Sequence, residues 1–76
     1  MAPETYPDPS SIAARIEAIR KEQGRSATWL SEKTGIPYST LRDVLRHNPR
    51  RLRVLHVELI SKALGVDVFS VLKAAS

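Results

Sequence analysis

Apolar side chains recur at helical spacing through most of the chain, and no stretch alternates with the period of two that a half-buried strand requires. From Ser10 onward Ile12, Ile16 and Ile19, with Ala13 beside them, repeat at i, i+4 and i+7 and predict a first amphipathic helix. Ser10 or Ser11 can cap it, or Asp8 can cap it with Pro9 at the first helical position, and Gly24 supplies the stop. Arg15, Glu17, Arg20 and Lys21 are expected on its exposed face. A short second helix is predicted from about Ala27 to Thr34, capped by Ser26, anchored by Leu30 and ended by Gly35, which stands where a left-handed residue is wanted. Ile36 and Pro37 link it to a third helix over roughly Tyr38 to Arg46, with Leu41, Val44 and Leu45 pointing inward.

His47, Asn48 and Pro49 break the third helix, and periodicity resumes at Val57, Ile60 and Leu64 in a fourth that Gly65 ends. A fifth begins with Asp67 as N-cap, has Val66 and Val71 at the two positions of a hydrophobic staple, and runs to about Ala74. The prediction is all-α: five short helices in one domain over residues 10–76. Residues 1–9 hold three prolines and form an extended or disordered lead-in.

Size and composition narrow the chemistry. A chain of 76 residues, 42% hydrophobic and 26% charged, makes one packed domain near the lower limit for a core without disulfides or a metal. With no cysteine, thiol catalysis, disulfide frameworks and thiolate metal sites are excluded. His47 and His56 are nine apart without a helical i, i+4 partner, so they read as loop and surface residues, and no metal or other cofactor is expected. No nucleophile, base and oxyanion set stands out, and the reading is not an enzyme. No apolar run approaches the ~18 residues that span a bilayer, and residues 1–10 lack the basic start of a signal peptide, so a cytoplasmic protein without membrane contact is expected.

The net charge of +4 is unevenly spread. Arg20 to Arg53 holds nine Lys or Arg against Glu22, Glu32 and Asp43, a local balance of +6, while residues 1–19 sum to −2 and residues 54–76 to zero. A basic stretch on a small domain attracts polyanions and releases their counterions, which points to nucleic acid; the alternative is a solvated basic surface.

The sharpest signal is the segment SATWLSEKTGIPYSTLRDVLR, Ser26 to Arg46. Two helices joined by a tight turn need a small residue where their backbones approach, here Ser31, and a glycine that reverses the chain, here Gly35. Leu30 and Ile36 fill the angle, and Leu41 and Val44 seat the second helix on the first. With the string SEKTGIPYSTL and the later ISKALGV, the chain resembles the phage Cro and repressor family of helix-turn-helix proteins over about Ile12 to Leu72.

That resemblance implies a third helix in the major groove and a second helix crossing the phosphate backbone of a double-stranded DNA operator. Tyr38, Ser39 and Arg42 then face base edges, Arg42 as a bidentate donor to guanine. Ser26, Thr28 and Thr40 are hydroxyl donors near helix N-termini, and Arg46, Arg50 and Arg51, with Arg53, suit backbone clamping; all are candidate phosphate contacts. For Ser26 plain capping is the alternative, and for Tyr38 packing on the turn. Asp43 is read as pairing with a basic neighbour rather than with a cytosine, and Trp29 as packing over the core edge rather than donating to a phosphate. The chain departs from the family's pattern twice. Ala27 stands where relatives commonly carry a phosphate-binding glutamine, and Arg46-His47 replaces the usual Asn-Gly, with a connection one residue longer.

The function expected is a transcription regulator of Cro or repressor type, binding its operator as a homodimer, with Val68, Phe69 and Leu72 of the fifth helix as the candidate dimer surface and no small-molecule ligand. Val71 is grouped with them, and the alternative is that all four complete the core. Two other readings share the fold: an antitoxin-like protein-interaction module, and a DNA-bending recombination-directionality factor.

Overall fold

Asp8 sets the first helix of the computed structural model, which describes residues 8–75. Its carboxylate Oδ2 accepts the Ser10 N–H at 3.1 Å, and Pro9, with no N–H to satisfy, takes the first position of α1, Pro9–Glu22. Asp8 is therefore the cap among the residues that could serve, and Pro9 belongs to the helix rather than to a lead-in; residues 1–7 of that expected lead-in lie outside the described residues. Ser26 starts α2, Ala27–Thr34, by accepting the Trp29 N–H at 3.0 Å, and Gly35 ends it at φ 77°. The Ser31 hydroxyl donates to the Ile36 carbonyl at 2.6 Å, so the small residue at the helix crossing also fastens the turn. Thr34 adds a second tie, its hydroxyl donating to the Leu30 carbonyl at 2.7 Å and accepting the Ile36 N–H at 3.2 Å.

Helix α3, Tyr38–Arg42, is shorter than its periodicity suggests. From Asp43 to His47 the backbone widens into a π-helical turn, where the sequence had predicted α-helix as far as Arg46. The cause lies at the exit. Asn48 donates its backbone N–H to the Asp43 carbonyl at 2.6 Å and its side-chain amide to Asp43 Oδ1 at 2.8 Å, which closes a five-residue step. Pro49 bars Asn48 from the helical region, and it stands at φ −133°, ψ 69°. A 3₁₀ turn, Pro49–Arg51, then leads to α4, Val54–Leu64, and α5, Val68–Ala75, in which Asp67 Oδ2 accepts the Ser70 N–H at 3.2 Å as expected of a cap.

The five helices surround one core. Ile12, Ile16 and Ile19 of α1 meet Leu30, Leu41, Val44, Leu45, Val57, Ile60, Leu64 and Val71, each of them buried. Ile16, Leu30 and Ile60 are wholly excluded from solvent, so each contributes about 1.5–3 kcal/mol by burial. The C-terminal ends of α1 and α4 are joined by Gln23, whose Nε2 donates to the Leu64 carbonyl at 2.8 Å. Among the described residues there is no strand, and no helix is long and apolar enough to cross a membrane.

Candidate nucleic-acid interface

The short α3 stands between two grooves and presents its first turn outward. Tyr38 is 44% exposed, and Ser39 and Arg42 are exposed beside it. The three residues predicted to read bases thus share one open surface. Thr40, placed among the phosphate contacts, is half-buried on the flank of the helix.

On one side an open groove of about 680 Å³ runs between α3, the basic exit loop and the start of α4. Ser39, Thr40, Arg50, Arg51 and Arg53 line it. Asp43 lies at its base and is committed locally: Oδ1 takes the Asn48 amide, and Oδ2 lies 3.5 Å from Arg51 Nη1. The Arg51 side chain is exposed, so that pair contributes at most about 1 kcal/mol. Arg50 has no carboxylate within ion-pair distance among the described residues. Arg53 stands at the N-cap of α4, where its N–H donates to His56 Nδ1 at 3.1 Å.

On the other side a smaller notch, about 180 Å³, is lined by Tyr38 and Arg42 of α3, Ala27 of α2, Glu17 and Arg20 of α1, and Arg46. Its wall is an ion pair. Glu17 accepts Arg20 Nε at 2.9 Å and Nη2 at 2.8 Å, a bidentate geometry in which both side chains are largely shielded from water. These two residues were expected on the exposed face of α1; they turn inward because each neutralises the other. The hydrogen bond from Arg20 holds the Glu17 carboxyl below its ordinary range against the opposing effect of burial, and the charges of Arg20, Arg46 and Lys21 act in the same direction. The same bond raises the Arg20 guanidinium above its usual value. Arg46 Nε reaches the shared carboxylate at 3.9 Å. A helix that offers its first turn between two cation-lined grooves has the shape and charge to enter a groove of duplex DNA.

A helix-turn-helix family model matches residues 16–70. The chain belongs to the Cro/C1-type helix-turn-helix family. Members of that family are DNA-binding transcription regulators. Among solved structures, this helix-turn-helix domain is similar to the N-terminal DNA-binding domain of SinR from Bacillus subtilis, with 34% identity, coverage of 80% of this chain and 88% of that one, and a TM-score of 0.70. It is also similar to the restriction-modification controller protein C.Esp1396I bound to a 25 base pair operator site, at 28% identity, 88% and 91% coverage, and TM-score 0.76. The clp gene regulator ClgR from C. glutamicum shares the fold, with 22% identity, 88% and 86% coverage and TM-score 0.78. No curated protein matches the sequence.

Within the helix-turn-helix, Ser26 acts as the α2 cap, while Thr28 is exposed on the first turn of the helix. Ala27 lines the notch beside Arg20 and Tyr38. Trp29 packs against the core from a half-buried site, with the Arg25 guanidinium 4.4 Å from its ring centroid and the Lys33 ammonium 5.9 Å away. A cation over an aromatic face contributes about 0.5–1 kcal/mol at an exposed site. Arg25 escaped the sequence reading, although its spacing of four from Trp29 was a signal available there.

The apolar residues of α5 divide. Val71 is in the core, Val68 and Leu72 are half-buried against it, and Phe69 projects outward, 73% exposed. The predicted dimer surface therefore narrows to Phe69 with the edges of its two neighbours. Leu55 at the start of α4, 61% exposed on the lip of the larger groove, was not anticipated. Among the described residues no cluster of His, Asp and Glu could hold a metal ion, and His47 is exposed while His56 is half-buried.

Proposed function

We propose that this chain is a sequence-specific double-stranded DNA-binding transcription regulator that lays α3 in the major groove, with Tyr38, Ser39 and Arg42 against base edges. The observation that carries the reading is the exposed first turn of α3 flanked on both sides by arginine-lined grooves. Arg42 offers a bidentate donor to guanine, Ser39 a hydroxyl of little preference, and Tyr38 a ring for a thymine methyl. Arg46, Arg50 and Arg51, with the hydroxyls of Ser26, Thr28 and Thr40, contact phosphates on either side and set the register. That the similar controller protein is seen bound to a 25 base pair operator site supports duplex DNA as the partner.

Two copies bind a two-fold or nearly two-fold site, meeting through the α5 face that carries Phe69, Val68 and Leu72. The protein acts in the cytoplasm, without enzymatic activity and without a cofactor. Duplex titration at several salt concentrations tests the reading. Log K is expected to fall linearly with log salt, and an affinity indifferent to salt would contradict it. Selection of bound sequences from a random duplex pool tests the two-fold site: a palindrome supports a dimer, and a single half-site a monomer.

A further inference from the structure

Three observations converge on Arg25, in the connection between α1 and α2. Its carbonyl accepts Arg20 Nη1 at 2.7 Å, so the backbone here is tied to the ion pair that walls the notch beside Tyr38 and Arg42. Ala27, two residues further on, lines the same notch, so Arg25 lies beside one of its lining residues along the chain. Its guanidinium lies over the Trp29 ring, and no carboxylate among the described residues lies within ion-pair distance of it. Trp29 is packed against the core, so the ring is a fixed platform.

A guanidinium held over an aromatic ring without a carboxylate partner has N–H donors to offer oxygen acceptors, and phosphate is an acceptor that its planar fork fits. Holding the side chain on the ring before binding also removes part of the rotamer entropy that a free arginine would lose on contact. Arg20 meanwhile has three of its N–H groups engaged by Glu17 and the Arg25 carbonyl, so the cation it displays to solvent is reduced, whereas Arg25 is exposed and has no acidic partner within ion-pair distance among the described residues.

We propose that Arg25 contacts a backbone phosphate of the bound duplex on the α2 side of α3, with Trp29 as its positioning residue. Arg50, on the far side of α3, is the opposite contact, and the two straddle the base-reading turn. The proposal rests on the duplex-binding reading above.

The test measures log K against log salt for the intact chain and its variants on the duplex taken from the random pool, with thermal melts confirming that each variant is folded. Arg25→Ala is expected to reduce the steepness of the salt slope by about 0.9, the value of one phosphate contact, and to leave the preferred sequence unchanged. Arg25→Lys keeps the charge without the planar fork, so its slope should match the wild type while its affinity falls. Trp29 is the chain's single tryptophan, and duplex should protect its fluorescence from acrylamide quenching. An Arg25→Ala slope equal to the wild type, with Arg50→Ala lowering it, overturns the proposal and leaves duplex binding standing. A wild-type affinity that ignores salt overturns duplex binding itself. Quenching unaltered by duplex, or a lysine variant as tight as the wild type, overturns the role given to Trp29.

Discussion

The two grooves beside α3 use arginine in opposite ways. In the notch toward α1, Arg20 is locked by two hydrogen bonds to Glu17 and a third to the Arg25 carbonyl, and Arg46 approaches the same carboxylate. In the larger groove Arg50 has no acidic partner among the described residues, and Arg51 shares Asp43 while remaining exposed. A shielded, bidentate pair fixes geometry and has little charge left to offer, whereas an exposed guanidinium offers its charge and fixes little. The Glu17–Arg20 pair is therefore architecture that holds α1, the turn and α3 in place, whereas the exposed arginines of the larger groove gather counterions that phosphate can replace.

The largest effect expected from this contrast is on stability. Glu17→Ala leaves the Arg20 guanidinium shielded from water without its carboxylate, and should cost about 1–3 kcal/mol. At about 4–8 °C per kcal/mol for a domain of this size, the loss is readable in a thermal melt. Asp43→Ala, on the exposed flank, should cost under about 1 kcal/mol by the same measure. Equal losses would erase the distinction between the flanks. The acid side of the melt sharpens it. Because the folded carboxyl of Glu17 lies below its ordinary 4.5, its contribution is fully present above that value and is lost as pH falls toward and through the lowered one. Glu17→Gln should flatten that part of the stability profile below about pH 4.5, and an unchanged profile would show that other carboxylates account for it.

Next in size are the effects on binding. Arg42→Ala removes the donor expected to reach guanine and should change base preference at one position by about 1–3 kcal/mol, roughly 5- to 150-fold. An unaltered preferred site would remove Arg42 from the reading turn. Arg50→Ala should weaken all sequences about equally and lower the salt slope by about 0.9, and it should do so more than Arg46→Ala, whose charge Glu17 already shares. A larger slope change for Arg46 would reverse the roles assigned to the two flanks.

The scaffold of both flanks was legible in the sequence to different degrees. Helical periodicity, the glycines at Gly35 and Gly65 and the caps at Ser26 and Asp67 are local signals, and they placed α2, α5 and the end of α4 within a residue or two, while α4 begins at Val54, ahead of the periodicity seen from Val57. The exposed first turn of α3 followed from the helix-turn-helix string. What was not legible depends on contacts that periodicity does not encode. Glu17 and Arg20 occupy positions that a helical wheel assigns to solvent, and burying them is favourable because they pair with each other, with Arg46 and the Arg25 carbonyl as further partners. The π-helical turn likewise depends on Asn48 reaching back to Asp43, a choice between hydrogen bonds that spacing leaves open. The folding of α5 shows the same limit, since its four apolar residues look equivalent in sequence and the packing of α5 on α1 and α4 buries Val71 while leaving Phe69 outside.

The smallest effect expected is also the one that separates two roles for Asp43. The residue follows Arg42 directly and lines the groove with Arg50, so a carboxylate here either accepts from a cytosine or steadies the exit loop. Asp43→Asn keeps a side-chain oxygen for the Asn48 amide, and the backbone bond from Asn48 to the residue-43 carbonyl does not involve the side chain at all. The loop should therefore hold, and the melt should shift by less than about 1 kcal/mol. The substitution removes one negative charge from the groove and releases Arg51 from its 3.5 Å pair, so more cation is available to phosphate. Binding should tighten and the salt slope should steepen, with the preferred sequence unchanged. A base preference altered at a single position would instead place the carboxylate at a cytosine and make this flank, too, part of the reading surface.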